Sequence, residues 1–329
     1  MKKSGFIKYL VVTSIIAIAL FTGSIITLFV YDMSRLPSIV EQTIQRLDGL
    51  SGKWVLEWNS SDEIFDSNLV FELATNGQDY YYQQDYQLIE GQNVALEMDV
   101  VNADVTIETT EGSNLTVEIV TKSPDRYRIE QSVSQLQITE KKKVKLFCLF
   151  GCDPDDKSTI VIKVPANVSQ LDLETVSGNF TIHHTSDLIE AHTVNGIINL
   201  IDSTVNEIDF EVINGKIKVN QSQIFNEANL EVVNGSIVLT EVESGNSHLE
   251  TINGDMTLTD VKGEIIDCQT VNGDIRLNNT YVRDIKIGKV NGHFEFINDD
   301  QGYEIQSLKL SGLKKNYEIQ ANVRNISYN

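Results

Sequence analysis

Val194-Asn195-Gly196 is followed by Ile213-Asn214-Gly215, Val233-Asn234-Gly235, Ile252-Asn253-Gly254, Val271-Asn272-Gly273 and Val290-Asn291-Gly292. A variant copy, Val176-Ser177-Gly178, precedes them, and a degraded one, Leu310-Ser311-Gly312, follows. From Gly178 to Gly312 successive glycines lie 18 to 20 residues apart. One turn repeated at a fixed short period is the mark of a stacked solenoid. Each unit of such a stack can bury its apolar side only against its neighbours.

With each turn glycine numbered zero, five columns are apolar. Column −5 runs Leu173, Ala191, Phe210, Leu230, Leu249, Cys268 and Ile287. Column −2 holds the Val or Ile of each turn, column +2 runs from Phe180 to Phe294, and column +4 from Ile182 to Phe296. Column −7 is weaker, with Ala228 and Ser247 among Leu171 and four isoleucines. Apolar residues alternate within each arm, which is strand spacing. No stretch between copies is long enough for a crossover helix. All five columns are therefore expected to point inward.

Glycine suits a bend that needs positive φ, and asparagine is the next most tolerant residue there. Stacked in register, Asn195, Asn214, Asn234, Asn253, Asn272 and Asn291 would lie about 4.8 Å apart, close enough for an amide ladder. Thr175, Thr193, Thr251 and Thr270 at −3 would form a partial ladder beside it. An antiparallel meander also uses Asn-Gly turns. It offers no reason for five aligned columns at one period.

The 329 residues carry a formal net charge of −21 and are 41% hydrophobic, enough for a packed core. The acidity argues against nucleic acid, which needs a basic footprint. Cys268 falls in an inward column, as a small core residue. Cys148 and Cys152 lie four apart. Outside the cytoplasm they could close a small disulfide loop, and two lone thiols are the other reading.

Lys2, Lys3 and Lys8 precede an uncharged run from Tyr9 to Tyr31. As a helix, 23 residues span about 35 Å against a hydrocarbon core of about 30 Å. The run exceeds a signal-peptide core and lacks a clear cleavage site, so it reads as an uncleaved anchor. Cleavage near Gly23-Ser24 is the alternative. The lysines mark 1–8 as the cytoplasmic flank, and 32–329 then lie outside the cytoplasm. Residues 34–50 pattern as an amphipathic helix, within a juxtamembrane connector and stalk at 32–91.

The expected fold is all-β. It comprises a β-strand cap over 92–170, a parallel β-solenoid of seven to eight coils over 171–296 and a C-terminal cap over 297–329. One N-terminal transmembrane helix precedes them.

Three features together carry a resemblance: Val100-Val101-Asn102-Ala103-Asp104-Val105-Thr106-Ile107, the strand Ile160-Val161-Ile162-Lys163-Val164-Pro165, and the Val-Asn-Gly-x-Ile turns. Over roughly 92–296 the chain resembles the "putative-adhesin" β-solenoid family of bacterial envelope proteins, the LiaG-like group. The resemblance implies a bacterial, extracytoplasmic, non-enzymatic protein associated with cell-envelope stress responses. It brings no catalytic residues.

Independent signs of chemistry are few. His183, His184, His192, His248 and His293 show no metal-ligand spacing, and outward basic residues are scattered. No catalytic residue, cofactor or metal site is expected, and a polysaccharide-active enzyme ranks last. Two columns stand out. Column −4 holds Glu174, His192, Glu211, Glu231, Glu250 and Gln269, and column −6 holds Asp172, Glu190, Asp209, Asn229, His248 and Asp267. Stacked like charges repel, so this acidic face is expected either to be simply solvated or to recruit a divalent cation, a basic peptide or a basic protein. The competing role, an adhesin or cell-wall polymer binder, would need exposed aromatics, which the outward columns lack.

Overall fold

The computed structural model describes residues 69–74, 78–88, 93–140, 156–300, 302–312 and 316–328. The chain divides into two compact units, Met1–Glu63 and Ile64–Asn329, and every described residue belongs to the second. The expected anchor at 9–31, the helix at 34–50 and the Cys148–Cys152 pair lie outside the described residues.

In chain order the strands are β1 (Glu72–Leu73), β2 (Tyr80–Gln87), β3 (Val94–Thr110), β4 (Asn114–Thr121), β5 (Tyr127–Gln131), β6 (Gln135–Glu140), β7 (Ser158–Pro165), β8 (Val168–Ser177), β9 (Phe180–His183), β10 (Ser186–Ile201), β11 (Thr204–Asn220), β12 (Gln223–Thr240), β13 (Glu243–Thr259), β14 (Lys262–Asn272), β15 (Ile275–Asn278), β16 (Tyr281–Asn291), β17 (Phe294–Ile297), β18 (Ile305–Ser311), β19 (Tyr317–Gln320) and β20 (Val323–Tyr328). Parallel pairing stacks them as β8/β9, β10, β11, β12, β13, β14/β15 and β16/β17. Register is residue for residue: Asn195 faces Asn214, which faces Asn234, and so on to Asn291. The fold is a parallel β-solenoid of about eight coils at the 19-residue spacing, not a meander.

A further coil lies within the span expected to be the entry cap. β3 does not cover the stack but belongs to it, with Asn102 opposite Ser177 and Val105 opposite Phe180. Its other side pairs with β6 and β7, so the chain inserts β4–β7 between two adjacent coils. β4 runs antiparallel to β2 and β7, and β5 antiparallel to β6. The cap proper is therefore these strands. At the corner where β6 ends, the buried Glu140 carboxylate accepts the Val101 amide at 2.7 Å and the Asn102 amide at 3.3 Å. Arg126 lies 3.6 Å from that carboxylate.

At the far end the columns continue into the span expected to be a cap. Leu308 faces Ile285, Leu310 faces Ile287, and β19 pairs with β17. Leu310-Ser311-Gly312 is consequently no degraded turn, because Leu310 sits in the −5 file, three positions from where its sequence resemblance put it.

One apolar cluster runs from Tyr82 to Leu310, with columns −7, −5, +2 and +4 lining it. Column −2 is not among them. Val194, Ile213, Val233, Ile252 and Val271 are half-buried, and the inward position is −3, where Thr193, Val212, Val232, Thr251 and Thr270 are buried. Strand alternation explains the swap, since −7, −5 and −3 share a parity that −2 does not. The −3 file ends at Lys289, whose buried ammonium donates to the His293 carbonyl at 2.5 Å. Burial lowers its pKa to about 8.

A second corner recurs six residues after Gly196, Gly215, Gly235, Gly254 and Gly273. Asp202, Gln221, Glu241, Asp260 and Asn279 all hold φ of 47° to 54°. None is glycine, and each is followed by a buried small or β-branched residue such as Ser203, Val242 or Thr280.

Candidate binding face

The expected acidic columns form two continuous files on one sheet face. Pairing sets Asp172 beside Glu190, Glu190 beside Asp209, Glu211 beside Glu231 and Glu231 beside Glu250. β3 extends both files, with Glu97 facing Asp172 and Asp99 facing Glu174. The far end is basic: Asp267 faces Lys286 at 3.7 Å, and Lys286 faces Lys309. The face thus carries a charge gradient along the rod, which column counting stopped short of.

Its carboxylates are not splayed into water. Glu174 and Glu250 are only 7% and 6% exposed, while Asp172, Glu190, Asp209, Glu211, Glu231 and Asp267 are half-buried. Strand spacing of about 4.8 Å packs them against one another. The outward Val/Ile file at −2 borders the −4 file, so the face pairs a carboxylate strip with an aliphatic strip. This aliphatic strip was missed in the sequence, although the parity of −2 against −5 and −7 was there to be read.

Two histidines are built into the files. His248 Nε2 lies 2.8 Å from Glu250 Oε1. That bond, together with the Glu250, Asp267 and Glu231 charges, raises the His248 pKa over the opposing effect of burial. Burial pulls His192 downward, but the Glu211 carboxylate 3.6 Å from Nδ1, with Asp209 and Glu174 nearby, outweighs it and the net shift is upward. At 3.6 Å this is an ion pair without a hydrogen bond.

A folded-state pKa above the ordinary histidine value stabilises fully below about pH 6.5, and that stabilisation is lost as pH rises through the raised value. His184 works the other way. Burial lowers its pKa although Nε2 reaches the Val168 carbonyl at 2.7 Å. Replacing His192 and His248 together by Gln should therefore shrink the fall in melting temperature between pH 6 and pH 8. A pH profile identical to wild type would dismiss the assigned ion pairs.

Among the described residues no three His, Cys, Asp or Glu side chains converge as a metal site, and no helix is long and apolar enough to cross a membrane. Cys268 is fully buried in the −5 file.

The architecture and the long ordered face define a class: a parallel β-solenoid presenting a repetitive surface. Within that class, the chain belongs to the Toastrack DUF4097 family, whose model matches residues 93–312. Among solved structures it is similar to a "putative adhesin" from Parabacteroides distasonis, at 12% identity and TM-score 0.42, covering 75% of this chain and 96% of that one. A second "putative adhesin", from Parabacteroides merdae, matches at 12% identity and TM-score 0.42, over 77% of this chain and 97% of that one. A "putative lipid binding protein" from Parabacteroides distasonis matches at 14% identity and TM-score 0.38, over 76% and 96%. Likeness of this degree says nothing about ligands. No curated protein matches the chain.

Proposed function

We propose that the protein is a non-enzymatic binding scaffold, held at the cell membrane by 9–31 with its solenoid outside the cytoplasm. In this reading its acidic face docks a basic protein or peptide, in the cell-envelope stress role that the LiaG-like resemblance implies. The carrying observation is the in-register stacking of carboxylates beside an aliphatic file. Lysine and arginine stems can lie on valine and isoleucine while their charged heads meet carboxylates. Such a partner also relieves repulsion between stacked like charges. A peptide suits the files better than a divalent cation, because the carboxylates line up instead of converging.

Glu190→Gln, Glu211→Gln and Glu231→Gln together keep side-chain shape and remove three charges. Binding to an immobilised lysine-rich peptide should fall about tenfold at low salt, with a flatter salt dependence. Binding and salt slope equal to wild type would remove the acidic face from the mechanism.

A further inference from the structure

A groove crosses the starts of β12, β13, β14 and β16, at the opposite end of the first arm from the carboxylate files. It starts from one extra residue. β12 pairs with β11 and β13 through a register shift at Phe225 and Asn226. The bulge turns Phe225 out of the wall, leaving it 53% exposed. Bulges commonly re-aim a side chain beside a functional site.

The next two layers contribute Gly245 and Gly263 to the lining, beside the exposed side chains of Glu243, Lys262 and Glu264. A Cβ on Gly245 would stand 2.5 Å from the Phe225 and Asn226 carbonyl oxygens, and one on Gly263 would stand 2.2 Å from the Ser244 oxygen. One layer further, Tyr281 rises and is braced edge-on by Tyr303, with ring centroids 5.3 Å apart. The result is an open groove of about 660 Å³. An exposed ring closes one end and a braced ring the other, three strand spacings or about 14 Å apart along the rod and offset by two residues along the strand. Hydrogen-bonding groups line it, among them Gln223, Glu243, Lys262 and Asp300. The aromatic side chains that a glycan ligand requires are thus present, on a bend that column analysis did not treat as a surface.

We infer that this groove binds a short stretch of uncharged oligosaccharide, its sugar rings lying on Phe225 and Tyr281 and its hydroxyls meeting the polar wall. Aromatic faces supply apolar contact for sugar C–H groups, and mixed donors and acceptors suit hydroxyls. An extended 1,4-linked hexose chain repeats close to the strand spacing, so about three units span the two rings. Glu243 and Asp300 disfavour polyanionic glycans. The site is independent of the acidic face.

Titration of the full chain in detergent with chitotetraose and with cellotetraose tests it calorimetrically. At least one should bind, oligogalacturonate should not, and Phe225→Ala should weaken binding at least tenfold. Phe225 is exposed, so that variant should keep the wild-type melting temperature. Tyr281→Phe should retain binding and Tyr281→Ala lose it. Failure of both neutral tetrasaccharides to bind, or binding indifferent to Phe225→Ala, would overturn the assignment. The Glu190, Glu211 and Glu231 triple variant should bind sugar normally, which separates this site from the peptide face.

Discussion

Gly235→Ala should destabilise the solenoid by about 3 kcal/mol or more, a large loss for one methyl group. A Cβ there would stand 1.7 Å from the Gly215 carbonyl oxygen, in backbone that cannot withdraw without breaking the stack. Its φ of 152° adds strain for any L side chain. The same approach recurs along the file, at 1.8 Å for Gly215 and 1.7 Å for Gly254. Gly112→Ala is the control, since its Cβ would meet nothing nearer than 3.6 Å. Urea unfolding of both variants would show a large midpoint shift for the first and almost none for the second. Equal shifts would mean that glycine is tolerated at these corners, not required.

Asn234→Ala should cost about 2 kcal/mol, since it removes two ladder hydrogen bonds. Its Nδ2 donates to Asn214 Oδ1 at 3.0 Å, and its Oδ1 accepts from Asn253 Nδ2 at 3.0 Å. The ladder continues from Asn214 to Asn195 at 3.1 Å and, at the other end, from Asn272 to Asn253 and from Asn291 to Asn272 at 2.9 Å each. Asn291→Ala removes one such bond from an exposed residue and should cost less than about 1 kcal/mol. The contrast between middle and end is the test. Identical melting temperatures for the two variants would show that the amides are ornaments of the turn.

The period, the asparagine file and both acidic files were legible because each depends on identical residues at one spacing. What escaped notice depends on parity, insertion or backbone conformation. The −2 valines and isoleucines look like core by composition, yet alternation from −7 through −5 forces −3 inward. β3 was hidden because its neighbours follow 40 to 75 residues later and its corner carries Ala103 where the others carry glycine. The left-handed corner at Asp202, Gln221, Glu241, Asp260 and Asn279 was invisible to a search for glycine. Its signal was a uniformly polar column before a buried one. The groove arose from a single extra residue in β12, which the glycine spacing recorded only as 20 in place of 19.

The inserted strands give the rod two kinds of assembly. From Val168 onward each coil meets its partner about one period later, so growth along that length needs only small loop closures. Val94–Thr110 must instead await strands synthesised long after it, and the N-terminal end closes by a distant encounter. That encounter is expected to limit the folding rate, leaving a bare pairing edge on the nascent chain until residues 158–183 arrive.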